Sequence, residues 1–401
     1  MDIGVGLSLE KNPIIAVKEA LRSAQHGVPK GKPDLAILFS SPELSSSTML
    51  KTIHEIIGAA PIIGSTGIAI ISNQGVFNQG LVLMLLKLPE NAGIHTSIIN
   101  TLNAAADFES GKEMAERFIQ NFHYAPRTFG LLLSDNVIEE SSGLVRALRE
   151  KFGTSFPLIG AYNSEADRSQ RNYLYYNNEL SRNSCAAMFL GGRVNFGFGT
   201  KHGWEPLGKQ HTITSSRDNV IKTIDGKPAV KLYEDYLGCP ARELKHGPIN
   251  IPALYPLGMP IPGEKEYLLR NINFVDEDSG SLHFHGSVPE GGSVRLMIAT
   301  KETCLNAAKQ AIKQSKLILS SGLIPRENAK RFALVFNSLA RYTILKKEVA
   351  KELDIIKAEL EPGTPIIGLY SYGGLIPLKS TSCPGQAYCN NQNLSILIVG
   401  G

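Results

Sequence analysis

The chain contains nearly the same five residues three times, and this repetition constrains its fold more than any other feature. "PIIGS" begins at Pro61, "PLIGA" at Pro157 and "PIIGL" at Pro365. Before each pentapeptide stands an apolar run that ends in small polar residues, followed by an amphipathic helical pattern. A further apolar run follows each pentapeptide. The same order of elements around a recurring motif indicates three copies of one structural unit.

The repeated unit also extends upstream, where a strand and a helix precede each copy. The three strands are "IGVGLS", "GIHTSII" and "SVRLMIAT", and the helices span 12–26, 110–122 and 302–318. Short apolar strands that alternate with helices are typical of α/β proteins with strands buried on both faces. We therefore predict an α/β fold in which repeated β-α-β-α-β-β units form mainly parallel mixed sheets flanked by helices, in two domains.

An extra segment separates the second copy from the third. The first two pentapeptides are 96 residues apart and the last two are 208 apart, and the excess falls between about 191 and 292. Within it, "PALYPLGMPIPGE" (252–264) is interpreted as a linker or a loop over a site, because Pro and Gly interrupt helices and central strands. The predicted domains are 1–237, with two units and an extension, and 238–401, with the linker segment and the third unit.

Composition and charge exclude several classes of function. The net charge is +4, and no Lys/Arg block exceeds two residues, so we expect neither a nucleic-acid partner nor an anionic membrane surface. No apolar run approaches the roughly 20 residues of a membrane span, and the N-terminus lacks a signal-peptide pattern. Five scattered cysteines without CxxC are typical of reduced thiols. These features predict a cytoplasmic protein without membrane insertion.

Polar residues at strand ends are the first candidates for a ligand site. In open α/β sheets, ligands bind beyond the carboxyl ends of the parallel strands. Asn and Tyr supply donors and acceptors without fixed charge, and Arg341 could pair with a carboxylate or phosphate. In the alternative interpretation, the strand ends are polar because they reach solvent and Arg341 is a surface residue. The candidate ligand-binding residues are Asn337, Ser338, Arg341, Tyr370, Tyr372 and Asn391 in the third copy, with Tyr162 and Asn163 in the second.

Metal-binding and catalytic signals are weak. His283 and His285 in "HFH" share one face of a predicted strand, so two imidazoles could ligate a metal or a haem, but the sequence specifies no third ligand. A cross-strand surface pair is the alternative. Asp135 could act as a general base, although no nucleophile is identifiable beside it. Cys383 and Cys389 in "CPGQAYC" are a poor basis for a disulfide or a metal site. We therefore predict no catalytic residue and assign no metal.

The order of these motifs resembles the FIST family, F-box and intracellular signal transduction proteins with a FIST N-terminal and a FIST C-terminal domain. The resemblance runs from about Pro33 to Gly400. It rests on "LAILFSS", "PIIGSTG", "PLIGAYNSEADR", "VIKTIDGKPAVKLYEDYLG", "LRNINFVDEDSGSLHFHGSVPEGGSVRLMIAT", "ALVFNSLAR" and "PIIGLYSYGGLIPL". It implies a sensory protein that binds a small ligand such as an amino acid. Some family members look like haem-binding nitric oxide sensors, which makes haem a cofactor to test.

Three positions depart from the family's C-terminal pattern. Ser338 replaces a cysteine, Gly374 a glutamate and Asn390 a histidine. Together these changes remove a thiol, an acid and an imidazole, which weakens haem ligation and acid–base chemistry there. The other matching polar residues could still hold a polar ligand.

Four functions follow from these expectations. The first is a cytosolic sensor for a small polar metabolite, read by a separate signalling partner because no output domain is visible. The second is a haem-based nitric oxide sensor that uses His202, His283 or His285. The third is an enzyme that depends on Asp135 or a cysteine, and the fourth is an interaction scaffold.

Overall fold

Three copies of one unit and a long insertion make up the fold. The computed structural model describes residues 1–28, 32–100, 107–122, 125–137, 142–163, 172–238, 240–246, 251–264, 266–321, 329–379 and 384–400. The first copy contains β1 (Asp2–Ser8), α1 (Pro13–Gln25), β2 (Leu35–Ser40), a 3-10 turn (Pro42–Leu44), α2 (Ser47–Ile57), β3 (Ile62–Thr66), β4 (Ala69–Ser72), β5 (Gly75–Phe77) and β6 (Leu81–Lys87). The second contains β7 (Ala92–Asn100), α3 (Asp107–Asn121), β8 (Arg127–Ser134), α4 (Gly143–Phe152), β9 (Leu158–Tyr162), β10 (Leu174–Tyr176), β11 (Glu179–Ser181) and β12 (Ser184–Gly192).

The third copy begins with β13 (Asn195–Lys201) and is then interrupted by the insertion. The insertion contains β14 (Glu205–Arg217), β15 (Val220–Ile224), β16 (Lys227–Pro228), α5 (Val230–Leu237), α6 (Ala241–His246), α7 (Ile251–Leu254), β17 (Leu257–Pro260), β18 (Tyr267–Arg270), β19 (Ile272–Asp276), β20 (Ser281–Phe284) and β21 (Ser293–Ile298). The copy resumes with α8 (Lys301–Ser320), β22 (Arg331–Ser338), α9 (Leu339–Leu345), a 3-10 turn (Lys346–Glu348), α10 (Val349–Glu359), β23 (Ile366–Ser371), β24 (Gly373–Lys379), β25 (Pro384–Asn391) and β26 (Leu394–Gly400).

Each copy forms a mixed sheet rather than a mainly parallel one. The strand orders are β1-β6-β2-β3, β7-β12-β8-β9 and β13-β26-β22-β23. The parallel pairs in the described part of the chain are β2–β3, β8–β9 and β22–β23. The α/β class is confirmed, and the recurring unit contains a hairpin that the predicted β-α-β-α-β-β unit lacked. The prediction of mainly parallel sheets is wrong, because the last strand of each copy runs back between the first two and is antiparallel to both.

The segment after each pentapeptide strand is a hairpin that crosses to another copy. Hairpin β4–β5 extends the third sheet beside β23, β10–β11 extends the first beside β3, and β24–β25 extends the second beside β9. A shared apolar core lies between the sheets, where Phe39 of the first copy packs edge-on against Phe336 of the third at 5.9 Å between ring centroids. The three six-stranded sheets therefore interlock, since each is completed by another copy.

The insertion forms an eight-stranded sheet of its own, which changes two predictions. "SVRLMIAT" is β21 of this sheet and not the first strand of the third copy, which is β13 instead. The segment 252–264 is not a linker or loop, because β17 lies between β18 and β21 and pairs with both. Its Pro260 is tolerated because it is the last residue of the strand. In the described residues, no helix is long and apolar enough to cross a membrane.

Paired glycines mark the first strand in two copies. Gly4 and Gly6 of β1 pack against the backbone of α1, and Gly197 and Gly199 of β13 pack against α8. A Cβ at Gly199 would lie 1.9 Å from the carbonyl oxygen of Ala311. The short "GVG" and "GFG" motifs therefore allow a helix to lie directly on a strand, and they identify equivalent strands.

The pentapeptide glycine is equally constrained. A Cβ at Gly368 would lie 1.9 Å from the carbonyl oxygen of Val335 on the neighbouring parallel strand. We predict that Gly368→Ala lowers the free energy of unfolding by about 3 kcal/mol, because β22 and β23 must separate. In the control Gly363→Ala, the Cβ meets nothing within 4 Å, and the positive φ of 82° costs about 1 kcal/mol. Urea unfolding measures both, and equal losses would contradict the packing account.

Candidate functional site

The polar residues at the strand ends are buried rather than solvated. Ser40, Thr66, Ser134, Asn163 and Ser338 each expose 3% or less of their surface. The explanation that such residues are polar because they reach solvent therefore fails for them. The crossing hairpins cover the strand ends, so these side chains must find hydrogen-bond partners inside the protein.

The chain segments that leave the pentapeptide strands create seams between copies. The Tyr372 N–H donates to the Tyr162 carbonyl oxygen at 3.0 Å, and the Ile68 N–H donates to the Tyr370 carbonyl oxygen at 2.9 Å. Tyr162 and Tyr370 both stand two residues after the pentapeptide glycine, so these two seams are equivalent by the repeat. The structure divides the predicted site residues among these places and does not bring them all together.

Four predicted residues lie in one closed network around Arg341. Arg341 is fully buried, and its Nε donates to Asn337 Oδ1 at 3.0 Å. Its Nη2 donates to the Cys304 carbonyl oxygen at 2.9 Å and pairs with the buried Glu352 carboxylate. The Ser338 hydroxyl accepts from the Arg341 N–H and caps α9. Arg341 is therefore not a surface residue, and its donors already serve protein acceptors.

Glu352 lies at the centre of this network. It was not among the residues predicted from the sequence. Its carboxylate accepts from Asn337 Nδ2 at 2.5 Å and from the Tyr370 hydroxyl at 3.2 Å. Burial and the nearby Glu352 charge raise the pKa of Tyr370, so its hydroxyl keeps the proton that it donates. Between α9 and α10 the backbone breaks at Lys346, where φ is 52°. Arg341 and Glu352 therefore come from two separate helices.

Asn163 and Asp135 of the second copy both have internal structural partners. Asn163 Nδ2 donates to the Thr66 carbonyl oxygen at 2.8 Å and so ties the second copy to the first. Asp135 accepts the N–H groups of Asn183 at 2.5 Å and Ser184 at 2.8 Å. Burial raises the pKa of Asp135 despite these bonds. This is the geometry of a carboxylate that caps the start of β12.

The remaining predicted residues converge on a third cluster, which we call the polar seam. It joins the insertion to the second and third copies. Its members are Tyr162, Arg270, Asn271, His285, Tyr372, Cys389, Asn390, Asn391 and Gln392. Tyr162, Tyr372 and Asn391 are sequence-predicted members. Arg270 and Asn271 were missed, although they stand in the quoted "LRNINF" motif.

Side-chain amides hold the two sides of the polar seam together. Asn390 Oδ1 accepts from the Leu269 N–H at 3.0 Å, and Asn391 Oδ1 accepts from the Asn271 N–H at 2.9 Å. Asn391 Nδ2 also donates to the Tyr162 hydroxyl at 2.6 Å. The amides thus replace main-chain pairing where β18 approaches β25.

Three further contacts complete the buried part of the seam. Arg270 Nη1 donates to the Cys389 carbonyl oxygen at 2.7 Å, while the Cys389 thiol lies 3.1 Å from the Tyr162 hydroxyl. Gln392 donates to Asn271 and has a φ of 64°, which is rare for a residue with a side chain. Such strained residues concentrate at functional sites.

His285 and Tyr372 form the half-buried mouth of the seam. Their rings meet edge-on at 4.9 Å between centroids. Burial lowers the pKa of His285 to about 4 and raises the pKa of Tyr372 to about 12, so both are uncharged at neutral pH. Among the described residues, His285 Nε2 is buried without a hydrogen-bond partner.

The three departures from the family pattern have structural roles. Ser338 caps α9 and Asn390 bonds the insertion, as described above. A Cβ at Gly374 would lie 2.6 Å from the Gly160 carbonyl oxygen, so a glutamate would displace β24 from β9. Each replacement therefore fits the closed packing of this region.

The three candidate histidines, all within the described residues, are not arranged as haem ligands. His202 Nδ1 accepts from the Trp204 N–H at 2.8 Å, and its Nε2 lies 3.1 Å from the Glu266 carboxylate. The His283 ring packs against the Phe274 ring at 5.2 Å between centroids, whereas the His285 ring packs against Tyr372. The two imidazoles therefore have different neighbours, and His285 lies beyond the end of β20.

Chemistry around His285 also argues against haem. Its neighbours are polar seam residues rather than an apolar slot, so the residues present do not fit this cofactor. In the described ranges, no group of three or more His, Cys, Asp or Glu side chains could hold a metal ion. Cys383 lies outside the described residues.

Comparison with known proteins identifies the class. The chain matches the FIST N domain over residues 34–227 and the FIST C domain over residues 229–377. These matches span more than half of the chain, so the protein belongs to the FIST family, which is linked to signal transduction. The resemblance read from the motifs is confirmed.

Two relatives are similar in sequence to part of this chain. The chain is similar to Uncharacterized protein Rv0628c of Mycobacterium tuberculosis (strain ATCC 25618 / H37Rv), with 22% identity over 306 residues, 74% of this chain and 76% of that protein. It is also similar to Uncharacterized protein MJ1623 of Methanocaldococcus jannaschii, with 24% identity over 175 residues, 40% of this chain and 33% of that protein.

Glu352→Gln tests the closed Arg341 network. We predict a loss of about 3–5 kcal/mol in the free energy of unfolding, because the Arg341 charge stays buried without its carboxylate. The control is Glu361→Gln, whose side chain is 62% exposed and whose partner Arg331 is only partly buried. That change should cost less than about 1 kcal/mol. Equal losses in urea unfolding would show that Glu352 is not a buried counter-ion.

Buried neutral histidines predict a dependence of stability on pH. Burial lowers the pKa of both His202 and His285 from the usual 6.5 to about 4. Between these values the unfolded chain binds protons that the folded protein does not, so stability falls as the pH falls. Each histidine should cost about 2 kcal/mol between pH 7 and pH 5. His285→Gln should remove about half of this combined decrease in urea unfolding at both pH values, and an unchanged decrease would refute the assignment.

Proposed function

We propose that this protein is a sensor that binds a small polar metabolite, such as an amino acid, at the polar seam. A separate signalling protein would read the bound state. The observation that carries the proposal is the buried Nε2 of His285, which has no hydrogen-bond partner among the described residues and lies at the half-buried mouth. An unsatisfied buried polar atom is costly, so a ligand that bonds it gains affinity.

The groups around the mouth suit a small polar ligand. Tyr372 offers a hydroxyl that both donates and accepts, and the buried amides of Asn271 and Asn391 form the polar wall behind it. Arg270 lies behind them, close enough for its positive charge to lower the pKa of Tyr162 against the larger effect of burial. This charge favours a ligand with a carboxylate end, and the neutral mouth residues suit its uncharged polar groups.

The other sequence-predicted residues take a supporting part in this proposal. Asn337, Ser338, Arg341 and Tyr370 bond one another or Glu352, and Asn163 bonds the first copy. Because these polar groups already have internal partners, as do those of Tyr162 and Asn391, we assign ligand contact to Tyr372 and His285, with Tyr162 and Asn391 in the wall behind them. The distinction is testable, since it separates residues that touch the ligand from those that support the walls.

A thermal-shift screen against a panel of amino acids and related metabolites tests the proposal. A ligand at 100 times its Kd should stabilise the protein by about 2.7 kcal/mol and raise Tm. We predict that His285→Ala and Tyr372→Phe each reduce this rise, because they remove polar groups at the mouth.

His283→Ala is the matched control, since it removes an imidazole two residues away that packs on Phe274. It should leave the ligand-dependent rise unchanged. The proposal fails if no metabolite raises Tm, or if His283→Ala and His285→Ala reduce the rise equally.

A further inference from the structure

We propose that Arg341 is a positioning residue for the mouth of the polar seam, acting through the insertion rather than by touching the ligand. The effect of Arg341 on ligand binding rests on the proposed function. Its structural part stands on contacts of its own, because Arg341 holds both points at which the insertion leaves and rejoins the third copy.

The mouth has walls from two different parts of the chain. His285, Arg270 and Asn271 belong to the insertion, whereas Tyr372 and Asn391 belong to the third copy. The relation between His285 and Tyr372 therefore depends on how the insertion sits on the repeats. Any contact that fixes the insertion also fixes the shape of the mouth.

Arg341 binds the chain on both sides of the insertion. β13 ends at Lys201, and the carbonyl oxygen of the next residue, His202, accepts from Arg341 Nη1. α8 begins at Lys301, and the Cys304 carbonyl oxygen in its first turn accepts from Arg341 Nη2 at 2.9 Å. We call these two places, where the chain enters and leaves the insertion, the crossing points. One planar guanidinium joins them through two different N–H groups, whereas a lysine ammonium lacks this fixed fork of donors.

The two crossing points also touch each other closely. Gly203 has a φ of 90°, and a Cβ there would lie 3.0 Å from Cys304 Cα. Burial of Arg341 at 0% exposure leaves no surface of its side chain for a ligand. A role in ligand binding must therefore pass through the residues that Arg341 holds.

Strand β18 connects the crossing points to the seam. The Leu269 side chain packs in an apolar cluster with Trp204 and Met297 of the insertion and with Cys304, Ala340 and Leu345 of the third copy. The N–H of the same residue donates to Asn390, and the next two residues are Arg270 and Asn271 of the seam. A shift of this cluster would move Leu269 and, with it, the next two residues along the chain, which belong to the seam.

Trp204, the single tryptophan of the chain, offers a local probe of the crossing point. It is 3% exposed, and its main-chain N–H donates to Nδ1 of His202, whose carbonyl oxygen Arg341 binds. Its emission therefore reports whether the crossing point is intact. Amide hydrogen exchange at Leu269 and Asn271 reports the seam, because the acceptors of these N–H groups are the Asn390 and Asn391 side chains.

The test compares Arg341→Lys with Arg331→Met, a control that removes an arginine from the partly exposed pair with Glu361. Arg341→Lys keeps a charge for Glu352 but loses the planar fork. We expect a red shift of Trp204 emission and about tenfold faster exchange at Leu269 and Asn271, as expected for loss of about one hydrogen bond's stabilisation. Amides in the β22–β26 pair should keep wild-type exchange.

If Arg341→Lys does not fold, Arg341→Met with Glu352→Met removes both charges, a replacement that buried ion pairs often tolerate. The same changes in emission and exchange are expected. Unchanged exchange at Leu269 and Asn271, beside a shifted Trp204 emission, would overturn the proposal and leave Arg341 a purely local contact. The test uses no ligand, so its failure is distinct from failure of the metabolite screen.

Discussion

Three hairpins cross from one copy of the repeat to the next, and the rest of the structure depends on their backbone hydrogen bonds. Each sheet is completed by a hairpin that another copy supplies. This exchange covers the carboxyl ends of the parallel strands, where the repeat places its polar residues. Since buried polar groups need partners, each strand end has acquired a different internal network.

The insertion distinguishes one of these seams from the others. At Tyr370 the strand end is closed by Glu352, and at Thr66 it is closed by Asn163. At Tyr162 the partner is Asn391 of the third copy. Asn390 and Asn391 also accept hydrogen bonds from the insertion. Two separately built parts of the chain meet there, and the half-buried His285 and Tyr372 lie on opposite sides. Interfaces between domains are common places for small-molecule sites.

The sequence predicted the repeat, most of its helices and strands, and the family, because local periodicity and the pentapeptides are properties of single elements. It did not predict which copy each hairpin joins, since long-range pairing leaves no local signal. Asn391 and Tyr372 were found as polar residues at strand ends. Glu352 was missed because it lies on the apolar face of α10 beside Leu353, and the break at Lys346 that separates it from Arg341 has no Gly or Pro to mark it.

The most direct test of the central claim is nuclear magnetic resonance of the protein with ¹⁵N-labelled histidine, before and after addition of a metabolite that raises Tm. The account predicts that the His285 ring-nitrogen resonances shift on binding, because Nε2 gains a hydrogen bond, while those of His283 stay in place. A stabilising metabolite that leaves the His285 resonances unchanged would contradict the assignment of the ligand site to the polar seam.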